Sequence, residues 1–196
     1  MSLFLILLAA GEGKRLESNT PKPFHKINNK TLLEHSIKVF QNFRNIKKTI
    51  VVYNKKHKKH LNKIKLKNVI KIKGGKNRQE STLKALNRIK NMNCTKVMIH
   101  DSARPNISKS IIKKIILNLK KNHAVIPSIK INDATKRVKN NIIFKNIDRS
   151  SLRFSQTPQG FTFKKIYEKH RKNMNKSVND DAALFVNDKE KVLNIS

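Results

Sequence analysis

Residues 7–22 read Leu-Leu-Ala-Ala-Gly-Glu-Gly-Lys-Arg-Leu-Glu-Ser-Asn-Thr-Pro-Lys, and an apolar run that begins at Leu3 leads into them. The run has the length and composition of a buried parallel strand. Glycines allow a sharp turn that exposes backbone N–H groups, and nearby cations neutralise bound phosphate. The glycines and cations that follow the run are Gly11, Gly13, Lys14, Arg15 and Lys22. The stretch therefore predicts a strand, a glycine turn and a basic loop that binds a nucleotide.

A purely structural turn explains the glycine pair equally well, because Gly-x-Gly is common in tight turns. A dinucleotide-binding turn needs a third glycine at position 16, where this chain has Leu16. The Walker pattern is also absent from the sequence. A phosphate at this loop would therefore be held directly by arginine and lysine side chains.

Composition predicts one domain spanning residues 1–196. The 45 Lys and Arg residues against 12 Asp and Glu give a formal charge of +33, which raises the possibility of nucleic-acid binding. However, the lysines are spread along the whole chain, and the aromatic residues (6%, no Trp) do not interleave with them as a stacking platform requires. We therefore expect a compositional bias and no nucleic-acid partner.

Cysteine content and the length of the apolar run restrict the cellular setting. The single Cys94 excludes an intrachain disulfide and a cysteine-based zinc site. The run at 3–10 is far shorter than the roughly 20 residues that span a bilayer, and no basic segment precedes it as in a signal peptide. We expect a cytoplasmic protein that does not associate with membranes.

Strand-like and helix-like segments alternate along most of the chain, which predicts an α/β fold. We expect a Rossmann-like open, mostly parallel sheet flanked by helices, with a projecting β-hairpin arm at about 132–156 that turns at Asn140-Asn141. The predicted strands are 3–10, 48–53, 68–73, 96–100, 124–128 and 191–195, and the predicted helices are 31–43, 55–64, 78–89, 108–119, 163–173 and 180–186.

Ligands of open α/β sheets bind at the carboxyl ends of the strands, where this chain places loops 11–22, 74–81 and 101–105 and the segment near Asp133. Asp101 suits Mg²⁺, which prefers oxygen ligands and substrate phosphates, although it could instead cap a turn. Arg104 could bind a phosphate in bidentate fashion or form a surface salt bridge. Ser81 could cap a helix or bind the ligand. Glycine, cations and one aspartate are what a nucleophilic phosphate needs to attack a nucleoside triphosphate.

Four motifs in order give the chain a family resemblance over nearly its whole length. They are Leu-Ala-Ala-Gly-Glu-Gly-Lys-Arg with Pro21-Lys22, Gly74-Gly75 with Arg78 and Ser81, His-Asp-Ser-Ala-Arg-Pro at 100–105, and Gln-Thr-Pro-Gln-Gly-Phe at 156–161. The chain closely resembles the 2-C-methyl-D-erythritol 4-phosphate cytidylyltransferase family of isoprenoid precursor biosynthesis. The resemblance implies a reaction of CTP with methylerythritol phosphate that releases pyrophosphate and uses Mg²⁺.

The resemblance also assigns roles to residues. Arg15 and Lys22 would be catalytic, stabilising the pentavalent phosphorus and the departing pyrophosphate, and Asp101 would serve the metal and the ribose. The residues implied around the cytidine and phosphates are Ala9, Ala10, Gly11, Gly13, Gly75 and Ser81. Those implied toward the methylerythritol phosphate are Arg104, Asp133, Thr135 and Arg149, the last reaching a neighbouring subunit in a homodimer formed through the arm.

Two departures from the family pattern lower the activity that we expect of this chain. The family commonly has Asp-Thr-x-Lys where this chain reads Asp133-Ala134-Thr135-Lys136, so the threonine hydroxyl is displaced by one position. Family members also continue past the last strand into a segment with another active-site lysine, whereas this sequence stops at Ser196. We therefore expect a truncated chain with low or no turnover, cut from a longer or bifunctional protein.

Three other functions stay open on the sequence. Ribitol-5-phosphate cytidylyltransferase shares the glycine loop and the His-Asp and Thr-Pro-Gln motifs. Supplying each polyol phosphate with CTP and measuring pyrophosphate release distinguishes the two enzymes. A basic nucleic-acid-binding module predicts salt-dependent binding that survives loss of Arg15 and Lys22. A degenerate, inactive relative would bind CTP weakly and release no pyrophosphate.

Overall fold

The computed structural model describes residues 1–11, 18, 20–66, 68–174 and 178–196. The strands are β1 Leu3–Ala9, β2 Lys26–Ile27, β3 Lys30–Thr31, β4 Ile46–Tyr53, β5 Val69–Lys73, β6 Lys96–Asp101, β7 Ala124–Lys130, β8 Thr135–Lys139, β9 Ile142–Ile147, β10 Arg153–Ser155, β11 Gln159–Thr162 and β12 Leu193–Ile195. The helices are α1 Leu32–Gln41, α2 Lys58–Asn62, α3 Arg78–Ile89, α4 Lys109–Asn118, α5 Phe163–Lys172 and α6 Ala183–Asn187.

Within these ranges the central sheet has eight strands, in the order β10-β7-β11-β6-β1-β4-β5, and β12 pairs with β7. Strand β1 is parallel to both of its neighbours, β4 and β6, and β4 is parallel to β5. Strands β10 and β11 are antiparallel to the strands that they join. The predicted fold class, an open and mostly parallel sheet flanked by helices, is confirmed.

Strand β1 is buried on both faces, which explains its continuous apolar sequence. Leu3, Leu5 and Leu7 pack in one core with α1 and α4, whereas Phe4 and Ile6 pack in a second core with α3 and α5. Successive side chains of a strand point to opposite faces, so this one segment contributes to both helical layers. Its carboxyl end is thereby fixed at the middle of the sheet edge.

Local capping signals decide where several helices begin. Thr31 and Glu34 form a capping box at the start of α1, in which Thr31 Oγ1 accepts from the Glu34 N–H and Glu34 Oε2 accepts from the Thr31 N–H. The hydroxyl of Ser108 accepts from the N–H of Ile111 and caps α4, as predicted. The N-cap of α3 is Asn77, whose side chain accepts from the N–H of Glu80. Ser81, the other candidate, lies within the helix and does not cap it.

The arm is a two-stranded hairpin of β8 and β9 that pairs apart from the central sheet. Asn140 and Asn141 form its turn with φ values of 48° and 63°. Asparagine tolerates this left-handed region, so the predicted turn pair is confirmed. Several large apolar side chains of the hairpin are exposed, namely Val138, Ile142, Ile143 and Phe144.

Some predicted elements differ from the structure. The segment predicted as one helix at 55–64 is a 3₁₀ turn at Lys55–His57 followed by the short α2. Helix α6 begins at Ala183 and not at residue 180, because Asp180 Oδ1 accepts from the Ala183 N–H and lies before the helix. The short strands β10 and β11 were not predicted, since three or four residues carry too little periodicity to be recognised.

No helix in the described ranges is long and apolar enough to span a membrane.

Truncation of a β1 side chain tests the central position of this strand. Leu5 is fully buried between β4 and β6, so Leu5→Ala should lower the free energy of unfolding by about 2–5 kcal/mol through lost burial and a residual cavity. The matched control is Leu117→Ala, because the side chain of Leu117 on α4 is 60% exposed. Urea unfolding measures both variants, and equal losses would contradict the central role of β1.

Candidate functional site

The loop after β5 packs against the end of β1. A Cβ atom at Gly74 would lie 2.8 Å from Ala10 Cβ and 2.9 Å from Ser81 Oγ, so only glycine fits there without displacement. The N–H of Gly75 donates to Ser81 Oγ at 3.0 Å. Ser81 therefore shapes the loop that the glycines form. A Cβ atom at Gly11 would meet none of the described residues within 4 Å.

The loop after β6 is joined to the same end of β1. Both the N–H and the hydroxyl of Ser102 donate to the carbonyl of Leu8, at 3.1 and 2.8 Å. The hydroxyl of Ser36 on α1 donates to the carbonyl of Ser102 at 2.8 Å. Ser102 is fully buried, so these bonds replace those that water would make. They fix the backbone of the preceding residue, Asp101, at the sheet edge.

Asp101 lies between two guanidinium groups. Its Oδ2 is 3.2 Å from Arg104 Nε, and its Oδ1 is 3.8 Å from Arg78 Nε. The side chain of Asp101 is 32% exposed, so one side of the carboxylate faces solvent. Arg78, at the start of α3, thus joins the loop after β5 to the loop after β6.

A chain of hydrogen bonds through His100 holds the backbone beside Asp101. The Asp101 N–H donates to Thr157 Oγ1 at 3.4 Å, and Thr157 Oγ1 lies 2.8 Å from His100 Nδ1. His100 Nε2 lies 3.0 Å from the carbonyl of Arg104, which can only accept, so this nitrogen carries the proton. Nδ1 then accepts from the threonine hydroxyl. Burial lowers the pKa of His100 to about 4, consistent with a neutral ring.

Behind Arg78 lies a buried carboxylate. Asp181 is fully buried, with Oδ2 2.7 Å from Arg78 Nη1 and Oδ1 3.0 Å from His170 Nε2. Burial by itself would raise the pKa of Asp181, but Arg78 and His170 outweigh it and hold this pKa well below its usual range. Burial likewise opposes the charge of Arg78, but Asp181 and Asp101 together raise the pKa of its guanidinium.

Arg104 borders a cavity beside the Asp101 loop. Its Nη1 donates to Gln156 Oε1 at 2.6 Å, so the loop after β6 also contacts the segment before β11. The cavity has a volume of about 400 Å³ and is large enough for a small phosphorylated polyol. Polar lining is supplied by Arg104, Ser128, Gln156 and Thr157, and apolar lining by Ile107, Ile111, Pro127 and Ile129.

Lys22 stands at the start of a 3₁₀ turn, Lys22–Phe24, and its side chain is exposed. Phe24 anchors this turn in the core and stacks on His60 with ring centroids 5.4 Å apart. The basic run at 55–60 therefore packs against the turn that carries Lys22. In the described part of the chain, Lys22 forms no side-chain hydrogen bond or ion pair.

Three predicted substrate residues lie on or next to the arm. Thr135 Oγ1 donates to the carbonyl of Asp133 at 3.4 Å, and Arg149 Nη1 donates to the carbonyl of Asn132. Within the described ranges, the hydrogen bonds of these side chains stay in the arm region. None of the described hydrogen bonds and ion pairs joins them to Asp101 or to its neighbours Arg78 and Arg104.

Of the remaining predicted residues, three lie at the sheet edge and two lie outside the described part of the chain. Ala9, Ala10 and Gly75 lie at the edge, at the ends of β1 and β5. Gly13 and Arg15 lie outside the described residues.

Residues that could hold a metal ion are few. Among the described residues, no group of three or more His, Cys, Asp and Glu side chains is arranged to hold one. Mg²⁺ is commonly held by one or two carboxylates together with substrate phosphates. Asp101 suits this mode of coordination, because its two guanidinium neighbours lie at ion-pair distances that leave lone pairs on its oxygens. The donor set therefore fits Mg²⁺ brought in with a triphosphate.

Three residues of this cluster had no role in the sequence analysis. Arg78 and Thr157 were noted only as motif positions, and Asp181 was placed inside a predicted helix. Two adjacent acidic residues at 180–181 are unusual in a chain with 12 acidic and 45 basic residues, and this is the sequence feature that could have indicated a role for Asp181. Their partners are distant in sequence, and only the fold brings them together.

The buried neutral His100 predicts a pH-dependent stability. Its folded pKa of about 4 lies below the unfolded value, so the unfolded state binds more protons between about pH 6.5 and pH 4. Stability from this group is present above pH 6.5 and falls as the pH drops, by roughly 2 kcal/mol between pH 7 and pH 5. Denaturant unfolding of the protein and of His100→Gln should show the smaller pH dependence in the variant. Equal slopes would contradict the buried neutral imidazole.

A family model for 2-C-methyl-D-erythritol 4-phosphate cytidylyltransferase matches residues 3–191. A bifunctional IspD/IspF enzyme of Pelagibacter ubique is 44% identical over 193 residues, which is 98% of this chain and 51% of that protein. The cytidylyltransferase of Thermosipho melanesiensis is 34% identical over 92% of this chain and 82% of its own length. The chain thus spans about half the length of the bifunctional relative and about four fifths of the shorter one.

Solved structures agree in fold. A 4-diphosphocytidyl-2C-methyl-D-erythritol synthase from Anaerococcus prevotii superposes with a TM-score of 0.86 at 27% identity, covering 98% of this chain and 87% of that one. A bifunctional IspDF from Campylobacter jejuni superposes with a TM-score of 0.85 at 28% identity, covering 100% of this chain and 49% of that one. The chain belongs to the 2-C-methyl-D-erythritol 4-phosphate cytidylyltransferase family, which is a family of nucleotidyltransferases.

Proposed function

We propose that the protein transfers CMP from CTP to 2-C-methyl-D-erythritol 4-phosphate and releases pyrophosphate, as its family membership supports. The observation that carries this proposal is the meeting of three loops at one sheet edge. The end of β1, the Gly74-Gly75 loop and the Asp101 loop contact one another there, with Arg78 and Arg104 on either side of Asp101. This arrangement suits a polyanionic nucleotide.

The chemistry needs positioning and charge neutralisation. A phosphate oxygen of the acceptor forms a bond to the α-phosphorus of CTP, and the bond to the oxygen bridging the α- and β-phosphorus breaks. Negative charge grows on the departing pyrophosphate, so cations placed there stabilise the transition state. We assign this role to Arg15 and Lys22. The N–H groups and small residues at Ala9, Ala10, Gly11, Gly13 and Gly75, together with Ser81, would surround the nucleotide.

Magnesium is the metal that this site would take. When bound, Mg²⁺ would supply positive charge that offsets the negative charge of the nucleotide phosphates. Asp101 would hold the ion through an oxygen on its solvent-facing side. Ser102 and Thr157 hold the backbone of Asp101 in place, so the carboxylate needs little reorganisation to receive it.

The acceptor would lie in the cavity beside Arg104. Its guanidinium, held by Gln156, offers a positively charged donor group to a phosphate or polyol hydroxyl. Asp133, Thr135 and Arg149 would contact the acceptor from the arm of a second subunit, since their bonds stay within the arm of their own chain. The exposed apolar side chains of the hairpin support a homodimer formed through the arm. The cytoplasm is the proposed location.

The experiment that tests this function supplies CTP, Mg²⁺ and either polyol phosphate to the protein. We expect CTP binding, and pyrophosphate release with methylerythritol phosphate but not with ribitol 5-phosphate. Single-turnover conditions with protein in excess detect pyrophosphate release even when turnover is slow. Release with ribitol 5-phosphate alone would favour the alternative enzyme. Absence of both CTP binding and pyrophosphate release would contradict the proposed function.

Substitution of Lys22 tests the catalytic assignment. Lys22→Ala should lower the single-turnover rate by roughly 100-fold or more, because a cation facing the leaving pyrophosphate is lost. The exposed side chain predicts an unchanged unfolding midpoint. Lys26→Ala is the matched control, since Lys26 is an exposed lysine four residues away on β2. A rate for Lys22→Ala equal to that of the control would contradict the assignment.

Substitution in the arm tests the homodimer. Phe144 is 55% exposed on β9, so Phe144→Asp should place a charge in the subunit interface and weaken dimerisation at least roughly tenfold. Light scattering after size-exclusion chromatography measures the mass. Leu117→Asp is the control, because Leu117 is a similarly exposed apolar residue outside the arm. A monomeric protein, or equal dimerisation of both variants, would count against the arm-mediated dimer.

A further inference from the structure

A buried carboxylate stands behind the candidate metal ligand. Asp181 and His170 are both fully buried, with Asp181 Oδ1 3.0 Å from His170 Nε2. The other oxygen, Oδ2, lies 2.7 Å from Arg78 Nη1. A charge in this environment is stable only with close partners of opposite sign or hydrogen-bond donors. The pair therefore holds the guanidinium of Arg78 in one place.

Arg78 lies closer to the carboxylate of Asp181 than to that of Asp101. Its Nη1 is at contact distance from Asp181, whereas its Nε is 3.8 Å from Asp101 Oδ1, beyond hydrogen-bond distance. A free guanidinium would form two parallel bonds with an accessible carboxylate. The buried partner, Asp181, thus determines the position of Arg78, and Asp101 is left incompletely paired.

The segment that carries Asp181 is itself fixed. The neighbouring Asp180 accepts through Oδ2 from Ser155 Oγ at 2.7 Å and from Gln159 Nε2 at 2.8 Å. Gln159 Oε1 accepts from the N–H of Ala182 at 3.2 Å. These bonds attach the turn before α6 to β10 and β11. Asp181 consequently has little freedom to follow Arg78.

We propose that Asp181 and Arg78 are positioning residues for Asp101: Asp181 holds Arg78 back, so that the guanidinium orients Asp101 without occupying its oxygens. Asp101 then keeps lone pairs for the Mg²⁺ that accompanies CTP. This inference rests on the proposed function for the identity of the cation and the nucleotide. Asp181 is fully buried, and its carboxylate contacts Arg78 and His170, so we expect the effect of its substitution on binding to pass through Arg78.

The first experiment measures CTP affinity by calorimetry in Mg²⁺ and in EDTA, for the protein and for Asp181→Asn. Asparagine is neutral, so the substitution removes the charge that holds the guanidinium of Arg78 away from Asp101. We expect the strengthening of CTP binding by Mg²⁺ to fall roughly 10- to 100-fold, as when other supports of metal ligands are removed. Affinity in EDTA should stay within about threefold of the protein without the substitution, since Asp101 then holds no ion. Glu168→Gln, an exposed carboxylate on α5, is the matched control and should change neither value.

A double-mutant cycle separates positioning from general destabilisation. If Asp181 acts through Arg78, adding Asp181→Asn to Arg78→Met should change the Mg²⁺-dependent strengthening by less than about threefold. Arg88→Met is the control for Arg78→Met, because Arg88 is an exposed arginine at the other end of α3. Multiplication of the two single effects would overturn the proposal, as would full Mg²⁺-dependent strengthening in Arg78→Met. The Arg78→Met result decides the question if Asp181→Asn fails to fold.

A crystal structure of Asp181→Asn tests the positioning without any ligand. We expect Arg78 to move onto Asp101 and form hydrogen bonds with its oxygens. An Arg78 that keeps its place relative to Asp101 would overturn the inference. If Mg²⁺ does not strengthen CTP binding to the protein itself, the metal role in the proposed function fails, and this structure alone decides the positioning.

Discussion

Burial of β1 on both faces is the constraint on which the site depends. Its alternating side chains enter two separate cores, so the strand cannot shift along its axis without exposing apolar groups to water. Because β4 and β6 are parallel to β1, and β5 is parallel to β4, the loops that follow β5 and β6 lie at the same edge as the end of β1. The bonds from Ser102 to the carbonyl of Leu8 and the close contact of Gly74 with Ala10 are consequences of that placement.

Acidic residues are scarce in this chain, and several of them have defined structural partners. Glu34 closes the capping box of α1, while Glu190 and Asp188 accept from the buried ammonium of Lys169. Asp180 and Asp181 connect the turn before α6 to the sheet and to Arg78. With 45 cations available, an unpaired carboxylate attracts a nearby lysine or arginine. The two arginine neighbours of Asp101 also have other partners, Asp181 for Arg78 and Gln156 for Arg104, and Arg78 stays beyond hydrogen-bond distance from Asp101.

At this edge of the sheet, the backbone and the side chain of Asp101 are held by different kinds of interaction. Its backbone is fixed by neutral hydrogen bonds through His100, Thr157 and Ser102, which are buried and exclude water. Its side chain is surrounded by charges that are partly exposed. Preorganisation of this type would lower the cost of binding the proposed polyanion, since few groups would need to move. The fold thus supplies rigidity from the core and charge from the rim.

Sequence patterns determined the elements and the family of this protein. The run at 3–10, the cap residues Thr31 and Ser108 and the Asn140-Asn141 turn act over a few residues, so their effect could be predicted locally. Four short motifs in order were sufficient to indicate the family, and loops 74–81 and 101–105 both contact the end of β1, as predicted. The sequence could not predict which charged residue pairs with which partner. Whether Arg78 binds a ligand or a buried carboxylate depends on contacts between residues about a hundred positions apart, which only packing of the helices on the sheet creates. Tertiary structure alone made that decision, because the energy of a charge is set by its burial and its neighbours in space.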